Sequence, residues 1–126
     1  GIGVSTKEFT EGSNERTLIC VQIEDIVAVE NLDEILSVEG IDVFFVGPTD
    51  LSQSLGYAEG KNHPEAKKII YSILKRITES GKKTGFPGSV NEITEIVEIG
   101  VLYHYTHLSA FFSEYGQKFL GLARSD

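Results

Sequence analysis

The chain has no methionine and no tryptophan, and it has a single cysteine, Cys20. One cysteine rules out an internal disulfide, and a reducing, cytoplasmic setting is the natural expectation. The missing methionine, and the abrupt opening on Gly1-Ile2-Gly3-Val4, suggest that the chain lacks its translation start and is incomplete. Basic residues are scarce: 11 Lys and Arg face 19 Asp and Glu, a formal net charge of −8. Phosphate backbones and anionic membranes need clustered Lys and Arg, so neither nucleic acid nor membrane is an expected partner. No apolar run approaches a membrane span, and no signal-peptide pattern opens the chain. A glycine-rich dinucleotide fingerprint, a P-loop and a nucleophile elbow are likewise missing.

What is present is enough for one domain with a real core: 126 residues, 40% of them hydrophobic. Residues 5–16 (STKEFTEGSNER) are polar and without period, and read as a loop or linker. Thr17 to Glu24 (TLICVQIE) has the mostly apolar, β-branched character of a buried parallel strand. Apolar positions Ile26, Val29, Leu32, Ile35 and Leu36 predict a helix over 26–38, ended by Gly40. Residues 41–46 (IDVFFV) predict a second buried strand, stopped by Gly47-Pro48.

A polar segment follows to Gly60. Pro64 then opens the clearest helix, 64–80, with Ile69, Ile70, Ile73, Leu74 and Ile77 as its stripe and Gly81 as its stop. A strand over 83–87, a helix over 91–99 ended by Gly100, a strand over 101–108 and a helix over 109–123 complete a βαβαβαβα order. Such an order predicts a parallel sheet with right-handed crossovers. Four βα units are half of a (β/α)8 barrel, which normally takes about 250 residues. A flavodoxin-like sheet satisfies the same pattern.

Strand alternation puts Gln22 and Glu24 on one face, and Val21 and Ile23 on the other. An amide and a carboxylate on an apolar strand are costly to bury unless paired or metal-bound. They sit at the C-terminal end, where parallel α/β proteins build their sites. The competing account is that Glu24, beside Asp25, merely opens the next helix with a favourable charge. Asp50 also lies just past a strand end, so the two carboxylates should converge. A pair of carboxylates with water in the remaining positions suits a hard divalent ion. Alternatively Thr49 or Asp50 caps the short segment that follows. Gly47 permits close backbone approach, and the Thr49 and Asp50 amides are placed to meet an anion.

Several stretches, in order and spacing, carry a specific resemblance. Gln22-Ile-Glu24, Val38-Glu-Gly-Ile-Asp42, Val46-Gly-Pro-Thr-Asp-Leu-Ser52, Leu55-Gly-Tyr57 and His63-Pro-Glu65 together resemble the HpcH/HpaI family of metal-dependent (class II) 2-oxo acid aldolases, over about residues 17–100. Gly1-Ile2-Gly3 is similar to that family's Arg-Gly-x-Gly segment, with the Arg missing upstream. The resemblance implies the second half of a (β/α)8 TIM barrel of the phosphoenolpyruvate/pyruvate type, as a single partial domain over 1–126. It also implies roles. Glu24 and Asp50 would hold a divalent metal (Mg²⁺, Mn²⁺ or Co²⁺). Gln22 would bond substrate oxygen or a metal-bound water, and the Thr49 and Asp50 backbone would bind the carboxylate of a pyruvate moiety. The expected reaction is cleavage of a 4-hydroxy-2-oxo acid to pyruvate and an aldehyde, in a homo-oligomer.

Some family features have no counterpart. The general base, a His with an Asp partner, and the transition-state Arg belong to the missing first half, so the chain alone is expected to be inactive. Where the family carries a glycine-bearing strand ending in Asp, this chain has His107 and Ser109. His104 and His107, three apart on a strand, should face opposite ways and are read as structural or pocket-lining. His63 reads as a helix-start residue, Cys20 as barrel core, and Lys82 and Lys83 as solvated, so no Schiff-base lysine is implied. Two alternatives stand: an acyl-CoA lyase of the citrate-lyase β type, and a catalytically incomplete metal-binding or assembly fragment with open strand edges.

Overall fold

The computed structural model describes residue 3 and residues 5–124; Gly1 and Ile2 of the opening Gly-Ile-Gly run lie outside them. The strands are β1 (Cys20–Ile23), β2 (Val43–Val46), β3 (Thr84–Pro87) and β4 (Tyr103–Tyr105). They form one sheet in the order β1-β2-β3-β4, every pair parallel. This sequential order separates the two topologies left open by the pattern. A flavodoxin-like sheet reverses direction at a switch point, whereas a barrel adds each strand beside the last. The chain therefore forms half of a (β/α)8 barrel.

The helices are α1 (Thr6–Glu11), α2 (Ser13–Arg16), α3 (Ile26–Glu30), α4 (Leu32–Ser37), α5 (Pro48–Ser54), α6 (Pro64–Glu79), α7 (Ile93–Ile99) and α8 (Leu108–Ala123). The core lies between one face of the sheet and the helical layer. Val21, Ile23, Phe44, Val46 and Phe86 point into it and meet Leu36 of α4, the Ile70-Ile73-Leu74-Ile77 stripe of α6 and Ile96 of α7. Burying each such side chain is worth about 1.5–3 kcal/mol, which is why the apolar spacing of α6 dictates how it docks. Arg76 on that helix reaches Asp33 of α4 at 2.9 Å. Both side chains are well exposed, so this pair adds little stability.

Three readings change. Residues 5–16 are not an irregular loop but two short helices. They are held by local bonds, such as those from the Thr10 hydroxyl to the Thr6 carbonyl and from the Thr17 hydroxyl to the Ser13 carbonyl (both 2.8 Å). Such bonds need no apolar period and leave none to read. The helix expected over 26–38 is broken at Asn31, whose backbone serves both as the end of α3 and as the start of α4. The segment after Gly47 contains a helix, α5, which Pro48 initiates at a position where a missing N–H costs nothing.

The opposite face of the sheet is only partly covered. Cys20, expected in the barrel core, is exposed in this half-barrel. Partial burial pushes its thiol above the ordinary value, which makes it a poor nucleophile. Phe45 is covered from the same side by Tyr105, stacked at 5.3 Å, and by Tyr103, edge-on at 6.3 Å. This packing needs a glycine at 85: a Cβ there would lie 2.6 Å from the Phe45 ring and 3.0 Å from a Val43 methyl. Lys82 lies over the Phe44 ring at 5.9 Å and is not simply solvated. Helix α8 has no buried residue; Leu108, Phe112, Tyr115, Phe119 and Leu122 are all exposed.

Gly85→Ala should therefore destabilise the fold by about 1–3 kcal/mol, the usual cost of overpacking. Urea denaturation followed by circular dichroism checks this; an unchanged midpoint would show that the aromatic cover is loose.

Candidate functional site

The site begins with the register of β1 against β2. Ile23 pairs with Val46, and the Gly47 amide donates to the Ile23 carbonyl at 3.0 Å. Both strands thus end at one level. Glu24 follows directly on the first, and Asp50 lies in the first turn of α5 on the second. Gln22 and Glu24 are joined, with the Gln22 amide donating to a Glu24 carboxylate oxygen at 2.5 Å. The bare Cα of Gly47 rests against them: a Cβ there would lie 2.7 Å from Gln22 Nε2 and 3.1 Å from Glu24 Cβ.

The competing assignments for the two acids can now be weighed. The residue that caps α3 is Asp25, whose carboxylate accepts from the Ala28 amide at 2.7 Å. Glu24 is free of that duty. Helix α5 takes Gly47 as its N-cap with no side-chain capping bond, so neither Thr49 nor Asp50 caps it. The geometry of a first turn leaves the Thr49 and Asp50 amides without intrahelical partners. Ser54, at the far end of α5, accepts from the Ile26 amide at 3.0 Å and ties this helix to the start of α3.

A cavity of about 300 Å³ opens at the strand ends. Gln22, Gly47, Thr49 and Asp50 line it; Glu24 is not among its lining residues and is bonded to Gln22. The far wall holds residues that the sequence did not single out: Lys61, Ser89 and Tyr105. Lys61 follows α5, in a polar stretch with no periodic signal. Ser89 lies in the loop after β3. Only the general rule that strand-end loops build sites could have marked them.

His107 lines this cavity, and His104 lines an adjoining one of about 360 Å³. His104 Nε2 lies 2.8 Å from the Val101 carbonyl, which can only accept, so this nitrogen carries the proton. Its Nδ1 is buried without a partner. No group of three or more His, Cys, Asp or Glu that could hold a metal occurs among the described residues. His63 caps α6, accepting from the Glu65 amide at 3.3 Å and stacking on Tyr57.

A divalent ion is compatible with this donor set. Glu24 and Asp50 offer hard carboxylate oxygens at neighbouring strand ends. With no third ionisable ligand, the other positions fall to water and substrate oxygen, as Mg²⁺ and Mn²⁺ accept. A side chain at 47 would fill the space against Gln22 and Glu24.

A parallel half-barrel with its polar residues at the C-terminal strand mouths is the (β/α)8 scaffold, which builds its sites at that end. The sequence profile of the HpcH/HpaI aldolase/citrate lyase family matches residues 2–99, and the chain belongs to that family. A 2-keto-3-deoxy-L-rhamnonate aldolase of Salmonella typhi is 54% identical over 74 residues. That match takes in 59% of this chain but 28% of the relative, so the chain spans well under half of the curated relatives it matches. Among solved structures, an HpcH/HpaI aldolase from Desulfitobacterium hafniense DCB-2 aligns with a TM-score of 0.71 and 27% identity, covering 98% of this chain and 49% of that one. A family protein from Burkholderia cenocepacia J2315 aligns with a TM-score of 0.82 at 23% identity, over 94% of this chain and 47% of that one. No helix among the described residues is long and apolar enough to cross a membrane.

Glu92, at the start of α7, accepts from the Ser89 hydroxyl at 2.6 Å and from Lys61 at 3.0 Å. Burial alone would raise its pKa, but these two partners together outweigh burial and hold it below the ordinary 4.5. A depressed folded-state value means stability present above the unfolded value and lost as pH falls through the folded one. Glu92→Gln should thus lose about 0.5–1 kcal/mol at neutral pH. The difference should vanish once the pH is well below 4.5. Urea midpoints measured across this range check it; a pH-independent difference would contradict the ion pair.

Proposed function

We propose that the chain supplies the metal- and pyruvate-binding half of a metal-dependent aldolase. The substrate would be a 4-hydroxy-2-oxo acid, cleaved to pyruvate and an aldehyde. The observation that carries this reading is Glu24: a carboxylate just past a strand end, held by Gln22, backed closely by the bare Cα of Gly47, and relieved of capping by Asp25.

In this reading Glu24 and Asp50 hold the divalent cation. When bound, the ion would serve as a Lewis acid for the negative charge that develops on the 2-oxo oxygen as the C3–C4 bond breaks. The amides of Thr49 and Asp50 receive the substrate carboxylate, aided by the positive end of the α5 dipole. Gln22 orients Glu24 through its amide and leaves its own carbonyl oxygen for a water or a substrate hydroxyl. None of these residues is placed to remove the proton from the 4-hydroxyl. That group and a cation for the transition state would come from the other half of the barrel, which would also cover Cys20 and the edges of β1 and β4. Assembly into a homo-oligomer belongs to the same proposal. The aldolase is preferred over a citrate-lyase β type because curated relatives at 53% and 54% identity carry an aldolase name.

Glu24→Ala and Asp50→Ala should each abolish Mn²⁺ binding followed by electron paramagnetic resonance. In the assembled enzyme, each should lower Mg²⁺-dependent pyruvate release by at least about 10²-fold, since each removes electrostatic stabilisation of developing charge. Unchanged Mn²⁺ affinity in either variant would sink the metal assignment.

A further inference from the structure

Lys61 and Ser89 stand on the cavity wall at a place that metal and pyruvate binding do not use. Lys61 comes from the single turn Gly60–Asn62, and Ser89 from the loop after β3. Both are bonded to one oxygen of Glu92, the lysine at 3.0 Å and the serine at 2.6 Å. The lysine and glutamate side chains are 31% and 19% exposed. An exposed lysine would sweep through many rotamers, but this one is anchored on a carboxylate that is itself fixed by a second bond.

The chemistry left over is specific. Lys61 and Glu92 cancel in charge, so the pair has no net pull on a second anionic group. Two N–H bonds of the ammonium and the lone pairs of the Ser89 hydroxyl remain unused by Glu92. A neutral hydroxyl meets both needs, accepting from Lys61 and donating to Ser89. An alkyl group would strip water from both and return nothing.

Position fixes which part of a substrate arrives there. Glu24 and Asp50 follow β1 and β2, and Ser89 follows β3 in the same sheet. Adjacent strands lie about 4.8 Å apart, so the mouth of β3 is about 5–10 Å from the carboxylates. With its carboxylate and 2-oxygen at the metal, a six-carbon acid reaches that far with the carbons beyond C4.

We propose that Lys61, positioned by Glu92 and working with Ser89, is a specificity subsite that reads a hydroxyl on the substrate beyond C4 and selects polyhydroxylated over alkyl chains. This rests on the pyruvate-site reading above.

The test uses Mn²⁺-loaded protein and probes that cannot be cleaved. 3-Deoxygluconate and 2-hydroxyhexanoate share a carboxylate and a 2-hydroxyl and differ in the hydroxyls of the distal chain. Pyruvate reports the head-group site alone. Titration calorimetry should show 3-deoxygluconate binding at least about tenfold tighter than 2-hydroxyhexanoate, the value of one hydrogen bond to a charged group. Lys61→Met should bring that ratio close to one while pyruvate still binds. Lys61→Arg should restore part of the preference, and Ser89→Ala should lose part of it with the lysine intact. If pyruvate binds but the ratio is near one in the unaltered protein, or survives in Lys61→Met, the subsite is overturned and the pyruvate site stands. If pyruvate shows no Mn²⁺-dependent binding to the unaltered protein, both fall together.

Discussion

The site depends on one alignment: β1 and β2 run parallel and stop at the same height. The Gly47 amide fixes that height by bonding the Ile23 carbonyl. Everything polar at this end is placed relative to it. Glu24 is the next residue on one strand, and α5 starts at Gly47 on the other. A slip of one residue would turn Gln22 into the helical layer and Ile23 into the cavity. The apolar burial of Ile23 and Val46 therefore holds Gln22, Glu24 and Gly47 in register.

The same alignment explains why a glycine suits position 47. Its neighbours are Gln22 and Glu24, and a Cβ would lie 2.7 Å from the Gln22 amide nitrogen and 3.1 Å from Glu24 Cβ, so both would have to shift. Gly85 repeats the arrangement one strand further on, where the ring of Phe45 takes the space a side chain would need. Along the open face of the sheet, small residues thus alternate with large ones across neighbouring strands. This lets the Phe45–Tyr105 stack form a wall beside the cavity without intruding on the strand ends.

How much of this was legible follows from what each residue does. Strands β1 and β2, helix α6 and the parallel order announced themselves through apolar periodicity, because burial produces that signal. The two acids could be singled out because a carboxylate at the end of an apolar strand demands an explanation. Helices α1 and α2 were hidden because local hydroxyl-to-carbonyl bonds sustain them. The break at Asn31 was hidden because the apolar stripe runs on across it. Cys20, read as barrel core, is exposed in this half: a strand pattern tells which residues share a face but not which segment covers it. Lys61 could not have been found, since its partner Glu92 lies 31 positions away and only the folded loops bring them together.

Glu24 and Asp25 are chemically alike and adjacent in sequence, yet they answer to different demands. Asp25 holds the start of a helix; Glu24 caps nothing and is bonded to Gln22 instead. In the proposed aldolase, folding and chemistry would thereby be divided between two neighbouring carboxylates. Descendants of this chain could trade away the reactivity of one and keep the architecture secured by the other, so a lineage that abandons the reaction need not abandon the barrel.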